Sequence, residues 1–197
     1  MEEVKSILIK DLHKSYGNKE VLKGINLEVN QGELFGFIGR NGVGKSTTID
    51  CCIGLKPFNS GEIYIDGMSI KDKPLQVKDR IGYSSSEPIT YEEMTGYGYL
   101  EFIASIYRLD SSLFLKNFAL LSKRFDLQGS DLYKPIKEYS HGMKQKVSLI
   151  ASLIHSPSIW VLDEPTVGLD PFTSNSLIET MKEYVKSGKT CFVATHN

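Results

Sequence analysis

The chain has 197 residues, of which 41% are hydrophobic, 24% charged and 10% aromatic. At ~150 residues per domain this is one domain with room for a sizeable core, far from disordered, collagenous or disulfide-scaffold compositions. Its 23 basic and 24 acidic residues leave a net charge of −1, so no whole-chain field draws it to nucleic acid or anionic lipid, no nucleic-acid partner is expected, and any anion site must be local.

The chain begins β-rich. SILI and INLEV alternate as strands do, and LFGFIG at residues 34–39 is a more continuous apolar run, with turn-prone YGNKE and NQGE between them. GRNGVGKSTTIDCCIGL follows, where glycine density gives way to a helix-compatible stretch that stops near Gly54, with Pro57 beyond. GEIYIDG and RIGYSSS supply two more short strands around the charged run KDKPLQVKDR.

From residue 88 to 156 the period becomes helical. Tyr99, Phe102, Ile103, Ile106 and Tyr107 recur at helical spacing, as do Phe114, Phe118, Leu121 and Phe125. A third helix carries Met143, Val147, Ile150, Ala151 and Ile154 on one face, with Ser140 as its N-cap and Pro157 as its stop. SIWVLDE and KTCFVATH then restore the strand pattern around a helix over SNSLIETMKEYVKSG.

The resulting division is 1–87, a β-rich part with the glycine loop; 88–156, a helical insert; and 157–197, a return to the core. No apolar run approaches the roughly 18 residues of a membrane span, and charges are scattered through the start, MEEVKSILIKDLHK, so the chain is expected in the cytosol. Cys51, Cys52 and Cys191 stand in apolar contexts without CxxC spacing and read as reduced, packed thiols.

Residues 39–46, G-R-N-G-V-G-K-S, fit the phosphate-loop pattern GxxxxGK[ST], placed after an apolar strand and before a helix as its mechanism requires. Gly39, Gly42 and Gly44, with Asn41 between them, let successive main-chain N–H groups converge on phosphate oxygens. Lys45 would reach the β- and γ-phosphates, Ser46 would give its hydroxyl to Mg²⁺, and the helix from Ser46 and Thr47 onward would aim its positive end at the anion.

Further on, I-W-V-L-D-E at residues 159–164 ends a buried-type strand in two carboxylates. Alone, such a pair is a solvated turn. Downstream of a phosphate loop, Asp163 suits hydrated Mg²⁺, and Glu164, pointing away from its neighbour, suits an attacking water as general base.

Together these residues make the chain resemble the ATP-binding subunit of ABC transporters, of the kind that serves ABC-2-type exporters, over nearly its whole length. The phosphate loop matches Walker A, residues 159–164 match Walker B, Gly168-Leu169-Asp170 the D-loop, and Y-S-H-G-M at residues 139–143 the signature usually written LSGGQ. The resemblance implies a P-loop (RecA-like) α/β core with an antiparallel β subdomain and an inserted helical subdomain. It implies Tyr16 as the aromatic that stacks on adenine, His196 as the switch histidine near the γ-phosphate, and Asp170 among the nucleotide contacts.

It further implies a head-to-tail homodimer, in which Ser140 and Gly142 of one subunit close on ATP held by the other. A separate membrane-spanning permease, on whose cytoplasmic side the chain would sit, completes the picture. Taken without the resemblance, Tyr16 is ordinary surface packing and Ser140 an ordinary helix cap.

Three departures stand out. Ser84-Ser85-Ser86-Glu87 occupies the place of the family's loop glutamine, aligning Ser86 with it as a metal contact and leaving Glu87 as the other substitute for the glutamine; His141 and Met143 replace signature residues; and the chain stops one residue after His196, short of the family's usual extent, as a truncation or a natural short form would. A small nucleotide kinase would need several arginines as phosphate clamps, whereas the chain has only Arg40, Arg80, Arg108 and Arg124. A non-transport ABC ATPase or a low-turnover nucleotide sensor stays open as the alternative.

Overall fold

The structure is a computed structural model that describes residues 5–196. Two four-stranded sheets share one body. β1 (Lys5–Tyr16) and β2 (Lys19–Asn30) form an antiparallel hairpin, and β4 (Ser60–Ile65) and β5 (Met68–Ser69) extend it in the order β2-β1-β4-β5. The second sheet is parallel throughout, with β3 (Leu34–Ile38), β8 (Thr190–Thr195), β7 (Ile159–Asp163) and β6 (Ile81–Ser84) in the order β3-β8-β7-β6.

β7 explains why the chain folds in layers. All five of its residues are buried, as expected of a central parallel strand covered on both faces. Because side chains alternate across a strand, Ile159 and Val161 join a core with Ile7, Ile9, Ile49 and Phe192, on the side of the antiparallel sheet. Trp160 and Leu162 face the other way, into a core with Leu100, Phe125, Ile136, Val147 and Ile150. The Trp160 indole donates to Ser152 Oγ at 2.9 Å, so its single polar group is satisfied in a fully buried place.

The helices follow: α1 (Lys45–Cys52), α2 (Pro74–Arg80), α3 (Gly96–Ile106), α4 (Ser111–Arg124), α5 (His141–Leu153) and α6 (Pro171–Lys186), with short 3-10 turns at Gly129–Tyr133 and Ile136–Glu138. Helices α3 to α5 pack into the same core as Trp160 and Leu162, so they are a subdomain on the sheet rather than an independent unit. No helix among the described residues is long and apolar enough to cross a membrane. The three cysteines are free and buried, and burial pushes the Cys191 thiol up to about 12.

Several local expectations shift. The charged run between the strands contains α2, with Pro74 at its first position and Val77 fully buried, because one apolar anchor and a proline start suffice for a short helix. LFGFIG forms an edge strand whose Leu34 and Ile38 are exposed. On α3 the buried face is Tyr99, Leu100 and Ala104, while Phe102 and Ile106 face outward. Helix α6 starts earlier than its apolar pattern, at Pro171, because Asp170 caps it.

Gly82 in β6 is the tightest point between sheet and α5. A Cβ there would stand 1.9 Å from the Ser152 carbonyl oxygen and 2.8 Å from Pro157 Cγ. Gly82→Ala is therefore expected to lower unfolding free energy by ~3 kcal/mol, since backbone cannot yield as a side chain does. A urea midpoint equal to that of the wild type would show that α5 does not press on β6.

Candidate functional site

Strand order creates the site. β8 lies between β3 and β7, pairing Ile38 with Thr195 and Asp163 with Ala194, so three chain segments leave the sheet side by side at its C-terminal edge. Ligands in open α/β sheets sit outside this edge. Gly39 N–H donates to the Thr195 carbonyl at 3.2 Å and Glu164 N–H to the Ala194 carbonyl at 2.9 Å, which holds the phosphate loop, Glu164 and His196 together.

The loop's conformation demands glycine. Gly42 and Gly44 have φ of 82° and 105°, and a Cβ on Gly44 would stand 2.8 Å from Leu22 Cδ2. Gly44 also occupies the N-cap of α1 with no side-chain cap, which leaves the first-turn N–H groups to the cavity. That field favours an anion by ~0.3 to 1 kcal/mol.

Lys45 is only 7% exposed. Its ammonium donates to the carbonyls of Gly39 at 2.5 Å and Arg40 at 3.2 Å, and lies 3.9 Å from Glu164 Oε1.

Asp163 is 5% exposed, and its Oδ1 has no hydrogen-bond partner. Burial raises its carboxyl above the ordinary value, with the neighbouring Ser46 hydroxyl working the other way. A buried carboxylate oxygen with a spare lone pair beside a hydroxyl is a donor set that suits Mg²⁺, which takes one or two protein ligands and keeps much of its water.

Glu164 has φ 48°, a left-handed conformation unusual for a non-glycine residue. Its carboxylate meets β8 and the residue after it: Oε2 accepts from Thr195 Oγ1 at 3.2 Å, and Oε1 lies 2.8 Å from His196 Nδ1. This second contact is one of proximity, since Oε1 accepts no well-aligned hydrogen bond.

Lys45, Glu164 and His196 line a cavity of about 450 Å³, whose walls also include Asn41, Gly42, Gly44, Ser46, Thr47 and Ser86, while Gly39 and Asp163 are not among its walls. Val21 and Val167 complete it, and neither carried a signal in the sequence, since an apolar wall has no pattern of its own. Glu87 is exposed and not among the walls, so Ser86 alone of that pair reaches the cavity.

Other expected residues lie elsewhere. Tyr16, 44% exposed at the end of β1, is not in the cavity wall; Lys14 and Lys56 ammonium groups lie 4.9 and 5.8 Å from its ring centre. Ser140 caps α5, accepting from Met143 N–H at 3.2 Å; it is exposed, Gly142 is half-buried, and both lie outside this cavity.

Asp170, expected among the nucleotide contacts, is not in this cavity's wall. Oδ1 accepts from Thr173 N–H at 2.8 Å; Oδ2 accepts from Thr173 Oγ1 at 2.7 Å and lies 3.2 Å from Lys146 Nζ. These donors hold the carboxyl well below the usual range, and leave the group as a helix cap within its own chain. Nearby, a Cβ on Gly168 would stand 2.2 Å from His141 Cδ2, and one on Gly142 2.7 Å from the Gly168 carbonyl. The first turn of α5 and the turn before α6 are thus in direct contact.

Comparisons with known proteins bear on the family and the fold. Residues 22–167 match the family described as "ABC transporter". The chain is 36% identical over 186 residues to the linearmycin resistance ATP-binding protein LnrL of Bacillus subtilis, covering 94% of this chain and 60% of that protein, so it spans little more than half of that relative's length. A solved ATP-binding subunit of an ABC transporter superposes with a TM-score of 0.91 at 34% identity, covering 96% of this chain and 79% of the other. A dimeric post-hydrolysis state of the ATP-binding cassette MJ0796, bound to ADP and Pi, superposes with a TM-score of 0.88 at 25% identity, covering 97% and 88%. The small-kinase reading is thereby set aside: the chain belongs to the ABC transporter family and carries its nucleotide-binding ATPase domain.

Proposed function

We propose that this chain binds ATP with Mg²⁺ in the 450 Å³ cavity, hydrolyses it, and powers a separate membrane-spanning permease that exports its cargo. The observation that carries this reading is the meeting of Lys45, Ser46, Glu164 and His196 on one cavity wall, with Asp163 beside Ser46, just beyond the ends of three adjacent parallel strands. ATP binding and export are supported by relatives that are ATP-binding proteins of drug resistance and lantibiotic transport. By role the chain divides into 1–87 with the hairpin and phosphate loop, 88–156 with the signature helix, and 157–197 with the carboxylates and His196.

Main-chain N–H groups of Gly42, Gly44 and the first turn of α1 take the phosphate oxygens, with Gly39 and Asn41 shaping the loop. Lys45 exchanges its two carbonyl acceptors for the β- and γ-phosphates, a stronger, charge-assisted contact. The Ser46 hydroxyl and the Asp163 carboxylate would hold Mg²⁺, with Ser86 on the cavity wall as a further oxygen; the ion supplies charge neutralisation at the phosphates. Tyr16, on the hairpin whose Val21 lines the cavity, offers an exposed ring to adenine.

Glu164 accepts the proton of the attacking water, and His196 keeps the carboxylate in place from 2.8 Å while reaching the γ-phosphate side of the cavity. Ser140 and Gly142, at the start of α5, lie outside the cavity of their own chain and close on the ATP of a second copy, head to tail. The Asp170 carboxylate serves this pair by fixing its turn against α5 through Lys146.

The permease meets the chain at an apolar groove of about 340 Å³ between α2, β6, α3 and α5, whose walls include Leu55, Tyr83, Ile103, Tyr107 and Lys78. The chain then sits on the cytoplasmic face of the membrane through that partner.

Lys45→Ala is expected to weaken ATP binding about tenfold or more, the loss of ~1.4 kcal/mol of charge-assisted contact; calorimetry showing unchanged affinity would overturn the phosphate-loop assignment. Glu164→Gln should bind ATP normally and lower kcat by about 10² to 10⁴, the usual worth of a general base. Normal turnover would remove Glu164 from that role. Replacing Ser140 and Gly142 together should leave ATP binding by the monomer intact and suppress ATP-dependent dimerisation, read by sedimentation; dimers indifferent to ATP would contradict the shared site.

A further inference from the structure

The nucleotide cavity and the apolar groove are separated by the short loop that leaves β6. Ser86 lines the first, and Ser85, one residue earlier, lines the second. Two consecutive residues at the bend after β6 thus face different cavities, so the loop's setting decides what each cavity meets.

Two ties hold that loop to α5. Ser84 Oγ and Ser148 Oγ share a hydrogen bond of 2.9 Å, and Gln145 Nε2 donates to the Ser85 carbonyl at 3.2 Å. Gln145 is fully buried, and its Oε1 has no hydrogen-bond partner. A buried amide that uses one end and strands the other is less stable than an apolar side chain of the same shape, so its presence is not explained by packing alone. What the amide uniquely supplies here is the donor to Ser85.

The helix is also the one that matters most for the proposed pair. Ser140 caps it, and Gln145 lies little more than one turn further on, at 1.5 Å rise per residue. Gln145 and Ser148 thus tie the position of the loop to that of α5.

We infer that Gln145 is a positioning residue for ATP hydrolysis, holding the loop so that Ser86 faces the nucleotide and Ser85 faces the groove, and linking both to the signature end of α5. This rests on the ATPase reading above.

The test uses the full chain, with ATP as the probe. Gln145→Met fills the same space without a donor. It is expected to keep KM for ATP within about twofold, to lower kcat at least tenfold, and to speed amide hydrogen exchange over residues 84–87. Ser148→Ala, which loosens the second tie, should shift kcat and exchange in the same direction by less, and combining the two should cost less than the product of the single effects.

A cooperatively folded Gln145→Met with wild-type kcat and exchange overturns the inference, as does a rise in KM with kcat unchanged. Should Gln145→Met fail to fold, Ser148→Ala decides: unchanged kcat and exchange sink the inference. A wild-type chain that binds no ATP removes the ATPase reading and this inference together, whereas a working enzyme indifferent to Gln145 removes this inference alone.

Discussion

A triphosphate needs main-chain donors on one side and carboxylates on the other, and the insertion of β8 between β3 and β7 is what brings them within reach. β3 delivers the uncapped start of α1, and β7 delivers Asp163 and Glu164. Between them, β8 ends in Thr195 and His196, which bond and flank the Glu164 carboxylate. Each strand on its own would place its residues at an arbitrary point of the surface. The parallel register, with its fixed spacing of roughly 4.8 Å between strands, sets the separation between phosphate loop and carboxylates before any side chain is chosen.

The same site shows how local discomfort is held by surrounding structure. Asp163 is buried with an unpartnered oxygen, Glu164 is left-handed, and Lys45 is nearly buried on carbonyl oxygens. Each of these costs free energy in isolation. They persist because β7 is buried on both faces and Trp160 and Val161 anchor it in two separate cores, so the strand end cannot relax without disturbing both. Polar groups left short of partners in a rigid frame are the ones an anion and its cation can satisfy.

How far the sequence discloses this depends on whether the chemistry is local. The phosphate loop is legible because only glycine tolerates the φ of residues 42 and 44, and the Ser140 cap is legible because its acceptor and donor are three residues apart. Asp170 was visible as a motif member, yet its destination as the cap of α6 depends on Thr173 and on Lys146 from a distant helix. The exposure of Leu34 and Ile38 follows from the place of β3 at the sheet edge, a property of strand order that no window of sequence carries. Val21, Val167 and the Gln145 tie to Ser85 share that origin: they arise where distant segments meet.

In the proposed pair, the arithmetic of closing is modest. Shifting a two-state equilibrium from about 1:99 to 99:1 takes ~5.5 kcal/mol of differential affinity. Two symmetric sites share that sum, so each bound nucleotide must add only about half of it across the interface. Charge-assisted hydrogen bonds are worth ~1.5 to 3 kcal/mol each, so one or two contacts from the capped start of α5 to a γ-phosphate suffice. This holds only if α5 presents those contacts without first being ordered. His141 against Gly168, Lys146 on Asp170 and Gln145 on Ser85 already fix that helix at three points along its first two turns, and leave little entropy to be lost on closing. Loss of one γ-phosphate then brings the pair to about 1:1, and loss of both returns it to about 1:99.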